Sequence, residues 1–197
     1  MNKETPTIER HPWEPFAPKN SRILFLGSFP PPRKRWTMEF YYPNRQNDFW
    51  KIMGHIFFAD PTYFTQKNEK NFNLPLITST MTEKGIALYD TALEVIRLKG
   101  NASDNHLQIV TASDIETLLT KMPHCNTIAV TGEKAANTLL TPYGITPPAI
   151  GEKRETTIAG RKIEIWRTPS SSRAYPLPLE KKATYYRKIL EAAKVIF

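Results

Sequence analysis

The chain is 197 residues long, 40% hydrophobic and 23% charged. That suits one globular domain, residues 1–197, able to bury a core without disulfides or a structural metal. A single cysteine, Cys125, excludes a disulfide framework, a four-cysteine zinc site and a cysteine-held iron–sulfur cluster, and it fits a reducing compartment. The net charge of +8 is uneven. Residues 1–60 carry 9 basic and 6 acidic side chains, residues 61–149 carry 7 and 8, and residues 150–197 carry 11 and 5. The positive excess therefore lies at the two ends of the chain, where it suits a polyanion or simply a solvated surface.

Residues 1–20 read as an extended N-terminal arm, because Pro6, Pro12, Pro15 and Pro18 each oppose helix. The stretch Met1 to Lys19 reads as neither a leader nor an anchor, and no segment reaches the roughly 20 apolar residues of a membrane helix. Arg22 to Gly27 is an apolar run ending in glycine, the pattern of a buried strand. A loop with Pro30, Pro31 and Pro32 follows. From Gln46 the pattern turns helical, with Phe49, Ile52, Met53, Ile56 and Phe57 on one face. Residues 59–84 read as polar and irregular. Ile86 to Tyr89 is a second strand ending at Asp90, followed by a helical stretch to Arg97 and a polar loop from Lys99 to Asn105.

Ser113 and Glu116 have capping-box spacing for a helix carrying Ile115, Leu118, Leu119 and Met122. Thr127 to Val130 is a third strand, and Gly132 leads into a helix from Glu133 to Leu140. Ala159-Gly160-Arg161 sits between two strand-like runs, 156–158 and 162–166, as a hairpin. A final helix spans Leu179 to Ile196. Strands alternating with helices predict an α/β fold with a mainly parallel sheet.

Ligands of open α/β sheets bind at the carboxyl ends of strands. This points to Gly27 to Pro32, Asp90-Thr91, Thr131-Gly132, and Thr168 to Arg173. The first and last lie in the two basic ends, which suggests one positive site built from sequence-distant loops. Neither GxGxxG nor GxxxxGK[ST] occurs, nor a GxSxG elbow, and the four histidines have no metal-ligand spacing. No metal and no cofactor is expected.

The densest segment is Arg33-Lys34-Arg35-Trp36 followed by Phe40 to Trp50, with four basic and six aromatic residues. Cations meet phosphate and rings stack on bases, so the mixture suits nucleic acid. Phe49 and Trp50 equally suit the start of a core helix, and Tyr41 and Tyr42 suit packing beneath the loop.

Gly27-Ser28-Phe29-Pro30, then Tyr41-Tyr42 and Asn47-x-Phe49-Trp50, resembles the uracil-DNA glycosylase superfamily, closest to its mismatch and hypoxanthine-DNA glycosylase branches. Gly85 to Asp90 is similar to the glycine–aliphatic–aromatic–aspartate strand of that branch, continued by Arg97 and the Gly100 to Asp104 loop. Thr168-Pro169-Ser170-Ser171-Ser172-Arg173 is similar to the superfamily's wedge loop. The motifs keep order over residues 22–176.

The resemblance implies a three-layer α/β/α sandwich around a central four-stranded, mainly parallel sheet. It also implies a monofunctional glycosylase of base excision repair that flips a deaminated or mismatched base, uracil or hypoxanthine, out of DNA. Damaged DNA would be the partner of a monomeric protein in the cytoplasm, at the nucleoid in a bacterium, with no membrane contact. Asn47, Asp48 and Asp90 are the catalytic candidates. Ser28, Phe29 and Tyr42 would bind the base, with Tyr42 as the stacking platform. Arg33, Lys34, Arg35, Ser170, Ser171, Ser172 and Arg173 would grip DNA, and Arg173 or Tyr175 would fill the vacated stack. Phe29 stands where many members hold water with Asp or Asn, which shifts that role to Asn47. Asn47 equally suits a helix cap, Asp90 a cap for the stretch toward Arg97, and the serines a plain turn. A non-catalytic DNA-binding or damage-sensing protein on the same fold is the alternative.

Overall fold

The computed structural model describes residues 7–66, 71–98 and 106–197. Its main sheet is built on β2 (Ile23–Gly27), β3 (Ile86–Asp90) and β6 (Thr127–Thr131), every residue of which is buried. Strands apolar without alternation are covered on both faces, as parallel strands are. β8 (Arg161–Thr168) and β7 (Lys153–Ile158) complete the order β3-β2-β6-β8-β7. The first four are parallel, and β7 is antiparallel to β8. The sheet thus has five strands, not the expected four. The extra one is the first arm of the 156–166 hairpin, a charged edge strand turned at Ala159 and Gly160, both at positive φ.

The helices are α1 (Phe49–Phe58), α2 (Leu74–Lys84), α3 (Ile115–Thr120), α4 (Glu133–Leu140) and α5 (Leu179–Ala192). The path from β2 to β3 runs one way across the sheet, and the paths from β3 to β6 and β6 to β8 run the other. Right-handed crossovers therefore put helices on both faces. Phe25 of β2 meets Phe49 of α1 edge-on at 5.4 Å and stacks on Tyr186 of α5 at 5.8 Å, which fixes α1 and α5 on one face.

Several local expectations change. Residues 59–84 contain α2, which the Asn73 side chain caps by accepting from Leu76 N–H and which ends at Gly85 in the left-handed region. The stretch before Arg97 is a strand, β4 (Ala92–Arg97), so Asp90 caps no helix there. It pairs with β5 (Leu107–Ala112) and with β1 (Ile8–Arg10) from the N-terminal arm. Irregular register around Glu94 breaks the two-residue alternation that would have identified β4. Asp114, not Ser113, caps α3 by accepting from Thr117 N–H. The last helix stops at Ala192. The 100–104 loop lies outside the described residues.

Candidate active site

The reversal in crossover direction makes the gap between β2 and β6 a topological switch point, where open α/β sheets bind ligands. A cleft of about 670 Å³ opens there. Gly27, Asp90 and Thr131, at the carboxyl ends of β2, β3 and β6, line its floor. Ser28, Phe29, Pro30 and Arg35 come from the loop after β2, Tyr42, Asn44 and Asn47 from the segment before α1, and Ser170, Ser171, Ser172 and Tyr175 from the loop after β8. The loops from the two basic ends of the chain therefore meet in one cleft.

Tyr42 is held from three directions. Its backbone is at φ 50, uncommon for a residue with a side chain. Its ring lies parallel to Phe49 at 3.8 Å. Its hydroxyl is 3.1 Å from Thr131 Oγ1, which itself reaches Leu26 O at 3.2 Å. A carbonyl only accepts, so Thr131 donates to Leu26 and Tyr42 O–H donates to Thr131. Burial, with Tyr186 and Asp90 nearby, holds the Tyr42 phenol well above its ordinary pKa and therefore protonated. Tyr41 goes elsewhere: it is buried, and its hydroxyl donates to Glu14 O.

Asn47 Oδ1 accepts from Phe49 N–H at 2.9 Å, so the cap-like role and the cleft-lining role fall on one residue. Because a backbone N–H demands an acceptor there, the amide orientation is fixed, and Nδ2 with its two N–H donors is left for a ligand. Asp48 is not in the cleft lining. Its Oδ2 accepts from the buried Lys182 Nζ at 2.9 Å, and its N–H donates to Ser171 O at 2.8 Å. Lys182 also donates to Ser172 O at 2.8 Å, and Asn47 bridges Ser172 in antiparallel fashion. This cluster ties the start of α1 to the 170–172 loop. In that loop Ser172 N–H is taken by Ser170 Oγ and Ala174 N–H by Ser172 Oγ. The hydroxyl protons are thus better placed to meet a phosphate than those two backbone groups.

Asp90 is 7% exposed and lines the cleft. Its Oδ2 is 2.9 Å from His11 Nε2. Gly27 lets it in: a Cβ on Gly27 would sit 2.3 Å from Asp90 Oδ1. Arg33, Lys34 and Arg35 form a short 3-10 turn, all exposed. Only Arg35 of the three reaches the cleft, and Arg33 pairs with Glu39 at 2.8 Å. Arg173 is exposed and outside the lining, whereas Tyr175 is in it. Thr168 is buried, its hydroxyl donating to Val130 O.

Sequence reasoning missed His11 and Lys182, and it placed Thr131 at the site without giving it a role. Thr131 had the signal of standing at a strand's carboxyl end. His11 and Lys182 had none, since an arm histidine and a lysine on a charged helix look like surface.

Fold and site define an α/β protein with a polar, aromatic-walled cleft at the switch point of its sheet. No family model and no curated protein matches the chain. A solution NMR structure from Methanosarcina acetivorans, named a "putative uracil DNA glycosylase", is similar to it. The TM-score is 0.64 at 22% identity, over 95% of this chain and 99% of that one. The chain thus shares the α/β fold of that structure along nearly its whole length. Among the described residues, no helix is long and apolar enough to cross a membrane, and no group of three His, Cys, Asp or Glu side chains could hold a metal ion.

Proposed function

We propose that the chain is a monofunctional DNA glycosylase, which hydrolyses the N-glycosidic bond of a deaminated or mismatched base flipped out of DNA. The observation that carries this reading is the meeting of Tyr42, Asn47, Asp90 and the 170–172 serines, which come from all three matched segments, around a single cleft. Its volume falls within the roughly 300–1,000 Å³ of ligand pockets.

Each group has a task that its geometry suits. The Tyr42 ring, backed by Phe49, is a rigid surface for stacking a base. As the C1′–N bond breaks, its electron pair leaves with the base, and Asn47 Nδ2–H donates to an oxygen of the departing anion. The sugar passes through an oxocarbenium-like state, as in other glycosidic cleavage. The Asp90 carboxylate stabilises that positive charge and takes a proton from the water whose oxygen bonds to C1′. Arg35 and the serine hydroxyls meet the phosphates. Among the described residues no lysine lines the cleft, and Lys182 is spent on Asp48, so hydrolysis is favoured over a Schiff-base lyase route.

The test is base release from duplexes containing uracil, hypoxanthine, xanthine or mismatched thymine, with the wild type, Asn47→Ala and Asp90→Asn. Abasic sites formed by the wild type and lost in both variants support the reading. Binding without release from any duplex overturns it in favour of a damage sensor.

A further inference from the structure

We propose that His11, carried to the site by the N-terminal arm, is a positioning residue that orients the Asp90 carboxylate; this rests on the glycosylase reading. The His11 side chain has no exposed surface. Its ring is boxed by Trp13, Phe29, Tyr41 and Tyr89, with centroids 5.0 to 6.0 Å away. The arm is pinned on either side of it. His11 N–H donates to Leu93 O of β4, while Phe16 and Leu88 of β3 exchange two backbone hydrogen bonds. The arm's backbone is thus paired with both sheets, and the neighbouring rings hold the imidazole in place.

Both ring nitrogens are engaged. Nε2 is 2.9 Å from Asp90 Oδ2, and Nδ1 is 2.9 Å from Trp13 O and 3.3 Å from Trp13 N. Three proton arrangements satisfy these contacts. Nδ1 accepts from Trp13 N–H while Nε2–H donates to Asp90. Alternatively, both nitrogens are protonated and donate. In the third, Nδ1–H donates to Trp13 O and a protonated Asp90 donates to Nε2. In each, a proton lies between Nε2 and Oδ2. His11 thus fixes one carboxylate oxygen and the side-chain rotation, and Oδ1, lying against the Gly27 Cα, is left for the attacking water. The partner that orients a reactive group from behind sets its geometry and its basicity. Here that partner belongs to the arm, so the arm is part of the active site.

The decisive measurement is single-turnover base release, on whichever panel duplex the wild type cuts, for His11→Leu, His11→Gln, Asp90→Asn and the His11→Leu/Asp90→Asn double variant. Equilibrium binding to the same duplex is measured alongside. His11→Leu is expected to slow release about 10–100-fold, the scale on which orienting partners act, with binding unchanged within about twofold. His11→Gln, which keeps an N–H donor, should recover part of the rate. The double variant should be no slower than Asp90→Asn alone. Wild-type release by His11→Leu, or an equal loss when it is added to Asp90→Asn, overturns the proposal. Should His11→Leu fail to fold, the imidazole ¹H–¹⁵N spectrum of intact protein decides. A His11 Nε2 resonance moved by Asp90→Asn supports the pairing, and an unmoved one overturns it. Absence of release by the wild type would instead sink the glycosylase reading, and the spectrum would still report on the His11–Asp90 pair.

Discussion

Gly27 and Asp90 end neighbouring parallel strands in register, and Oδ1 of Asp90 fills the space a side chain on Gly27 would need. The glycine that opens the first motif is thus explained by the aspartate that closes the second. Gly27→Ala would put a methyl carbon 2.3 Å from that oxygen, at the end of a fully buried strand. Either the carboxylate turns away from the cleft or the strands separate. Overpacking of this kind costs about 1–3 kcal/mol. Gly27→Ala is expected to lower the denaturant midpoint accordingly and to depress base release as Asp90→Asn does. Both are read from an unfolding curve and a single-turnover assay on one preparation.

On the proposed reading Asn47 carries two functions on two atoms, and substitutions can part them. Asp keeps an acceptor for Phe49 N–H but loses the Nδ2 donors, whereas Ala loses both. Asn47→Asp should retain the wild-type melting temperature and lose about 10²–10³ in release, the scale for one donor to a developing anion. Asn47→Ala should show the same loss and a further destabilisation of about 0.5–2 kcal/mol from the vacated cap. Asn47→Asp with undiminished release would mean that this position holds water rather than the leaving base.

The cleft's walls were legible in the sequence because they lie at punctuation, such as glycine or proline just after a continuous apolar run. Residues 27–31, 42–44, 47 and 170–172 all meet there. The central strands were equally legible, since burial on both faces leaves no polar alternation. The small sheet was not. β4 owes its strand state to β1 and β5, one from the distant arm and one beyond residues 99–105, and the irregular register at Glu94 hides its period. Asp48 shows a deeper limit. In sequence it stands next to Asn47 and is as good a catalytic carboxylate. Only tertiary structure reveals that a lysine 134 residues away neutralises it.

That pair makes its own prediction. Lys182 is 1% exposed, and its ammonium contacts Asp48 and Ser172 O, so removing Asp48 strands the lysine in the interior, while removing Lys182 leaves Asp48 only the partly exposed Lys51 at 3.6 Å. Breaking a buried pair this way costs about 3–5 kcal/mol, more than deleting both charges together. Lys182→Met and Asp48→Asn should each be strongly destabilised, and the double variant less so than the sum. Chemical unfolding of the four proteins gives the coupling. Additive losses would show that the two side chains are not paired.

The three cations of the 33–35 turn should not act alike on DNA. Arg35 lines the cleft and, among the described residues, has no acidic partner, whereas Arg33 is paired with Glu39. Each phosphate contact contributes about −0.9 to the slope of log K against log salt on duplex DNA. Arg35→Ala should flatten that slope by about 1, and Arg33→Ala by less because Glu39 already offsets its charge. Equal slopes for both variants and wild type would place the phosphate path elsewhere.

Cys125, buried at the entrance to β6, gives the fold a specific weakness to alkali. Burial pushes its thiol from 9.0 up to about 12, against the smaller opposing influences of its hydrogen bond to Thr127 and of Arg161. The folded value lies above the unfolded one, so the fold favours the neutral thiol. This contribution to stability is complete below pH 9 and is lost as pH rises from 9 toward 12, because only the unfolded chain ionises easily in that window. The buried tyrosines Tyr41 and Tyr186, and Tyr42 in the cleft wall, all also raised, add losses of the same sign. Comparison with Cys125→Ala isolates the thiol. Between about pH 8 and pH 10.5 the wild type should lose more of its denaturant midpoint than Cys125→Ala, although the variant starts lower from lost packing. The same burial should keep Cys125 unreactive toward a thiol alkylating reagent in the folded protein at neutral pH. Rapid labelling under native conditions would show that the connection between α3 and β6 opens.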